Sequence, residues 1–240
     1  MKGDTPQTMP IFGKMSAPHT PESLAFARAH LAAADPALAR IDALVAPFAW
    51  RTRPGGFAGL VRFIVEQQVS MASAAAIWAR VEAGLGEVTP QAVLARDEAQ
   101  LKAFGLSSPK ARYAHAIATA HVSGAADFDQ LNALDDEAAI TALTAIKGVG
   151  RWTAEVYLMM CEHRLDVFPA GDLALQEGLR WADEAEVRPS EKQVYARSEL
   201  WRPYRAVAAH LIWDYYLEVR AKRLPEPGKR LPAPQVKDES

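Results

Sequence analysis

The chain has 240 residues, 50% of them apolar and 23% charged, with a formal net charge of −2. That composition supplies one large core and excludes an intrinsically disordered body. No apolar run approaches the ~20 residues of a membrane span, and no hydrophobic signal segment follows the polar start Met1–Pro10. The single cysteine, Cys161, excludes an internal disulfide framework, a cysteine-rich zinc site and an iron–sulfur cluster. Set among Leu158, Met159 and Met160, it reads as a packed core thiol. There is no basic excess of the kind DNA-binding domains usually carry, although a local basic face suffices for such a partner. An intracellular protein is expected.

Residues 1–20 are rich in Pro, Gly, Ser and Thr without periodicity and read as a tail. Thr20-Pro21-Glu22 has the form of a helix start, leading to Leu24, Ala27 and Leu31 at helical spacing. Asp35-Pro36 opens a second helix with Leu38, Ile41, Leu44 and Val45 as its stripe, and the stretch Arg51 to Gly56 breaks the pattern. A helix over Phe57 to Gln68 follows, then one from about Ser70 through Ala74, Ile77, Trp78 and Val81, closed by Gly84 and Gly86. Short helices are predicted over Pro90–Arg96 and Glu98–Phe104. Gly105-Leu106-Ser107 leads into a helix containing Lys110, Tyr113 and Ile117. Asp135 caps a helix to about Thr144, and after Ile146 to Gly150 another runs to about Glu162. An extended link over Val167 to Gly171 precedes a helix from Asp172 to Trp181. Helices near Glu191–Leu200 and over Pro203 to Arg223 complete a body of residues 21–223, with 224–240 as a second tail. No valine-rich alternation suggests a sheet, so the class is all-α.

The most informative local segment is Leu143-Thr144-Ala145-Ile146-Lys147-Gly148-Val149-Gly150-Arg151-Trp152-Thr153-Ala154. Two glycines around one β-branched residue permit a tight turn between helices, with Val149 as the inward anchor. The N–H groups that open the next helix then face outward and suit a phosphate oxygen, with Lys147 and Arg151 adding charge. In isolation the same pattern also serves an ordinary helical corner. The longer string closely resembles the helix-hairpin-helix motif of base-excision DNA glycosylases, and in particular the 3-methyladenine DNA glycosylase II family. The resemblance spans about Pro54 to Trp213, implies two helical subdomains flanking a DNA-binding cleft, and places the hairpin at 143–160. It makes Lys147, Gly148, Gly150, Arg151 and Thr153 contacts for the DNA backbone. It also implies a monovalent cation, Na+ or K+, at the carbonyls of Thr144, Ile146 and Val149. Lys147 stands where the family commonly has proline. The chain is too short at its start for the sheet domain some relatives carry, and is expected to be the compact form.

Asp166-Val167-Phe168-Pro169-Ala170-Gly171-Asp172 is the second match. Read from its surroundings, Asp172 is a helix N-cap. The resemblance makes it also the catalytic carboxylate, beside a sugar that gains positive charge as its base leaves; Asp166 is read as structural. Strand-cutting relatives such as endonuclease III carry a nucleophilic lysine two residues after the second hairpin glycine. Trp152 occupies that position and cannot form a Schiff base, so a hydrolase without lyase activity is implied, with no cofactor for catalysis and no iron–sulfur cluster.

Trp213, in Trp201-Arg202-Pro203-Tyr204-Arg205 to Trp213, matches a tryptophan that stacks on the extracted base, and Trp152 is read as a second pocket wall; electron-rich rings attract cationic alkylpurines. Gln68, with Val69 as alternate, matches the wedge that fills the gap in the duplex. Gly105 to Lys110 resembles a second DNA-contacting turn, in which Ser107 and Lys110 touch backbone. The implied function is excision of alkylated purines, 3-methyladenine and 7-methylguanine, from double-stranded DNA. The protein is expected to be a monomer, off the membrane and in the cytoplasm (with the nucleoid, or in a nucleus). The alternative is a non-catalytic helix-hairpin-helix module that only binds DNA.

Overall fold

Helix starts are written locally along this chain. The computed structural model describes residues 19–128 and 130–225. Among them it has twelve α-helices and two single-turn 3-10 helices, with no strand. Only His19, Thr20, Leu224 and Pro225 of the expected tails 1–20 and 224–240 fall within that range; the rest lie outside the described residues. The helices are α1 Pro21–Ala34, α2 Pro36–Asp42, α3 Gly56–Glu66, α4 Met71–Leu85, α5 Pro90–Leu94 and α6 Glu98–Ala103, then α7 Ser108–Val122, α8 Asp136–Thr144, α9 Arg151–Met160, α10 Leu173–Ala182, α11 Glu191–Ser198 and α12 Arg205–Arg220. Each predicted helix is present. Periodicity did not reveal the 3-10 turns Leu131–Ala133 and Glu199–Trp201, each too short to show a repeat.

Thr20, Asp35, Ser70, Thr89, Asp97, Asp135, Asp172 and Ser190 each accept a backbone N–H of the helix they open. The starts of α7, at Ser107, and α9, at Gly150, have no such side-chain bond. Their first amides therefore lack partners within the helix.

The helices pack in two groups. Those from the chain ends, α1, α2, α10 and α12, contact one another, while α3 to α9 pack around α3, α7 and α9. The link between α2 and α3 crosses from one group to the other. Trp50 donates its indole N–H to the Met159 carbonyl at 3.1 Å, and the Arg53 amide bonds the Met160 carbonyl at 2.9 Å. One buried polar cluster ties the first group together. Asp35, 4% exposed, caps α2 through the Ala37 amide at 2.9 Å. It also accepts two bonds from the Arg197 guanidinium, at 2.8 and 2.9 Å, and one from the Trp201 indole at 3.0 Å. Burial pushes the Asp35 carboxyl up, but Arg197, Trp201 and the Ala37 amide outweigh it and hold it below its usual value.

Removing the carboxylate strips four donors of their acceptor. Asp35→Ala is expected to lose about 3–5 kcal/mol in urea unfolding at neutral pH. Because the folded value is depressed, the wild-type contribution is complete above the ordinary carboxylate range and fades as pH falls through the folded value.

Candidate active site at the hairpin

The turn between α8 and α9 closes through a bond from the Val149 amide to the Ile146 carbonyl at 3.0 Å. Gly148 has φ +95° there, giving the hydrogen bond and dihedral of a type II turn. A Cβ on Gly148 would lie 2.3 Å from Cγ of Tyr113, so both backbone and space demand glycine. Gly150 differs: a Cβ there would meet nothing within 4 Å. Its missing side chain instead leaves the opening amides of α9 uncovered. Val149 is buried and Lys147 is exposed on the turn.

Asp172 stands at the start of α10, half-buried. Its Oδ1 accepts the amides of Ala174 at 2.9 Å and Leu175 at 3.1 Å, and the Trp213 indole N–H at 3.2 Å. Its Oδ2 accepts the Trp152 indole N–H at 3.0 Å. The carboxylate thus joins α9 of one helix group to α10 and α12 of the other. Among the described residues Oδ2 has a single donor, and it retains acceptor capacity. Trp152 is 37% exposed, whereas Trp213 is only 9% exposed. Asp166 takes no part: Arg205 bonds it at 2.8 Å and Arg202 at 2.5 Å.

The loop from α3 to α4 is joined to α9 through the bond from Gln67 to Thr153. Gln67 leaves the helix and Gln68 has φ +56°, so α3 ends at Glu66, short of the expected Gln68. For a residue with a Cβ this left-handed conformation costs roughly 1–2 kcal/mol. Gln68 and Val69 are exposed at the tip, followed by Met71 at 90% exposure.

Residues 61–203, which hold the loop tip, the hairpin and Asp172, match the HhH-GPD superfamily of base excision DNA repair proteins. The chain belongs to that superfamily. DNA-3-methyladenine glycosylase 1 of Schizosaccharomyces pombe is 33% identical over 174 residues, which cover 68% of this chain and 76% of that protein. DNA-3-methyladenine glycosidase of Bacillus halodurans superposes with a TM-score of 0.75 at 31% identity, covering 82% of this chain and 91% of that one. The 3-methyladenine DNA glycosylase of S. pombe, solved in complex with abasic DNA, gives 0.69 at 28% identity, covering 85% and 100%.

Three of the expected DNA contacts have other duties. Thr153 is 3% exposed, and its hydroxyl accepts the Gln67 side-chain amide at 2.9 Å. The third residue of α9 faces α3, so only its backbone N–H belongs to the outward set. Lys110 is not turned toward solvent either. Its ammonium donates to the carbonyls of Val65 at 2.8 Å and Gln67 at 2.7 Å, satisfying the end of α3. Arg151 is held by Glu137 at 2.7 Å, Glu155 at 2.9 Å and the Tyr195 hydroxyl at 3.1 Å. Ser107 remains exposed, with its hydroxyl outside the cap. Two participants had no signal in the sequence: Arg51, over the Trp213 ring, and its partner Asp214.

Two stability measurements probe the site. Gly148→Ala is expected to destabilise by about 1–3 kcal/mol through positive φ and the Tyr113 clash, while Gly150→Ala stays near wild type in the same thermal melts. Glu155, 1% exposed, is pushed up by burial to about 7 from an ordinary 4.5, despite Arg151 and Tyr195. Between those values the native state holds a proton that the unfolded chain has released. Stability therefore falls as pH rises through that window and levels off above it. Glu155→Gln is expected to flatten this slope in unfolding titrations against pH.

Proposed function

We infer that the protein is a monofunctional DNA glycosylase of base excision repair, which turns an alkylated purine out of duplex DNA and hydrolyses its N-glycosidic bond. The carrying observation is the Asp172 carboxylate, fixed by Trp152 and Trp213 beside the hairpin, with Oδ2 holding one donor only. The open N-terminus of α9, Gly148, Gly150 and exposed Lys147 receive a backbone phosphate. Ser107 at the uncapped start of α7 takes a second contact. Gln68, with Val69, enters the gap left by the flipped nucleotide, and the exposed Trp152 ring attracts a cationic alkylpurine such as 3-methyladenine or 7-methylguanine.

As the C1′–N bond breaks, the base leaves with the electron pair and C1′ becomes cationic. Asp172 Oδ2 stabilises that charge and orients water, whose oxygen bonds C1′ while its proton passes to solvent. Trp152 stands where a lyase would need an amine, which supports hydrolysis without strand cleavage. The same reading places a monovalent cation at the Thr144, Ile146 and Val149 carbonyls. The Ile146 oxygen keeps one lone pair after the Val149 amide, and a bound cation would add positive charge toward the phosphate. A monomer acting wherever the genome lies completes it. Among the described residues no helix is long and apolar enough to cross a membrane.

The test is release of 7-methylguanine from methylated duplex DNA. Asp172→Asn is expected to lower the single-turnover rate about 100-fold or more while retaining affinity for duplex containing an abasic-site analogue. Absence of release by both proteins, with DNA binding intact, would leave the non-catalytic module standing.

A further inference from the structure

Lys110 is the third residue of α7, where a cation sits at the positive end of its own helix and gains nothing from it. Its ammonium donates instead to the carbonyls of Val65 at 2.8 Å and Gln67 at 2.7 Å, at the negative end of α3. Gln67 is held a second time, through its side-chain amide, by the Thr153 hydroxyl on α9 at 2.9 Å. The next residue is Gln68, exposed and left-handed at φ +56°. Gln67 is thus fixed from α7 through its backbone and from α9 through its side chain, and it sets the direction in which the chain enters the tip. One turn further along α7, Tyr113 lies against the hairpin, its Cγ 2.3 Å from where a Cβ on Gly148 would sit. Lys110 and Tyr113 are three residues apart on one helix face. A single helix therefore sets the loop tip with one side chain and rests on the hairpin turn with another.

In the proposed reaction the tip has a task that the carboxylate does not share. Turning a paired base out of the duplex costs unstacking and unpairing, and a side chain that fills the gap offsets that cost. A base with no partner costs less to turn out, so the placement of the tip matters less there. Bond cleavage at Asp172 involves no atom of the tip. Loss of the clamp should therefore slow release of a paired base more than release of an unpaired one.

We propose that Lys110 is a positioning residue for base eversion: it acts through the carbonyls at the end of α3 to place Gln68, and it takes no part in bond cleavage. This rests on the glycosylase reading above and gives Lys110 an inward duty in place of a contact with the DNA backbone.

The experiment measures single-turnover release of 7-methylguanine from a duplex with cytosine opposite the lesion, and from the same duplex with an abasic-site analogue opposite it. The readout is the ratio of the paired to the unpaired rate, which does not depend on how much of a variant is folded. The proteins are wild type, Lys110→Met, Lys110→Gln, Gln68→Ala and Lys110→Met/Gln68→Ala. In Lys110→Met the ratio is expected to fall about tenfold, the scale of hydrogen bonds from a charged donor. Lys110→Gln keeps a neutral amide donor and is expected to lower it about threefold; it carries the test if Lys110→Met does not fold. In the Gln68→Ala background, adding Lys110→Met is expected to leave the ratio unchanged, since both changes remove the same contribution. A ratio equal to wild type in every Lys110 variant that folds, whether or not the separate rates drop, overturns the proposal and leaves the glycosylase reading intact. A full Lys110→Met effect in the Gln68→Ala background also overturns it, because the lysine would then act without the tip. Wild-type protein that releases 7-methylguanine from neither duplex overturns the glycosylase reading and this inference with it.

Discussion

The Asp172 carboxylate accepts N–H donors from three helices, and the rest of the site is arranged around that requirement. Its own helix supplies two amides, α12 supplies Trp213 and α9 supplies Trp152. Trp152 is the second residue after Gly150. Any movement of the hairpin therefore moves a donor of the carboxylate. In the proposed reaction, a phosphate at the start of α9 and a sugar at Asp172 would be set at a fixed separation, which is the positioning a bond cleavage beside a backbone contact requires.

The loop between α3 and α4 is tied to the same frame by bonds that run sideways. Gln67 reaches the Thr153 hydroxyl on α9, and Lys110 clamps the last carbonyls of α3. Burial lowers the Lys110 pKa, which fits an ammonium used as an internal clamp and not as a solvated charge. These bonds hold the strained Gln68 backbone in place. An exposed residue in a left-handed conformation persists only where its surroundings over-determine it. Tip, hairpin and carboxylate are connected through these side-chain bonds.

Charge is deployed locally. Arg151, Arg197 and Arg205 are each bound to carboxylates of the protein, in keeping with a net charge of −2. Little positive field is left for long-range steering of DNA. In the proposed function the phosphate contacts fall to backbone amides at the starts of α7 and α9 and to Lys147, which would act at contact distance.

Helix starts were legible in the sequence because a cap is a bond between near neighbours: Thr20, Asp35, Asp135 and Asp172 each reach an amide two or three residues on. The glycine turn was legible for the same reason, since Gly148 sets its own dihedral. Ordered motifs made the family readable, and Asp172 was legible as the N-cap of its helix. Tertiary structure alone decided which polar side chains were free to act. Lys110 and Thr153 look like outward polar groups in a DNA-facing segment, but their partners lie 43 to 86 residues away. Arg51 meets Asp214 across 163 residues. No periodicity encodes such pairings. They arise when two helix groups close on each other and each buried donor takes the acceptor that packing brings to it.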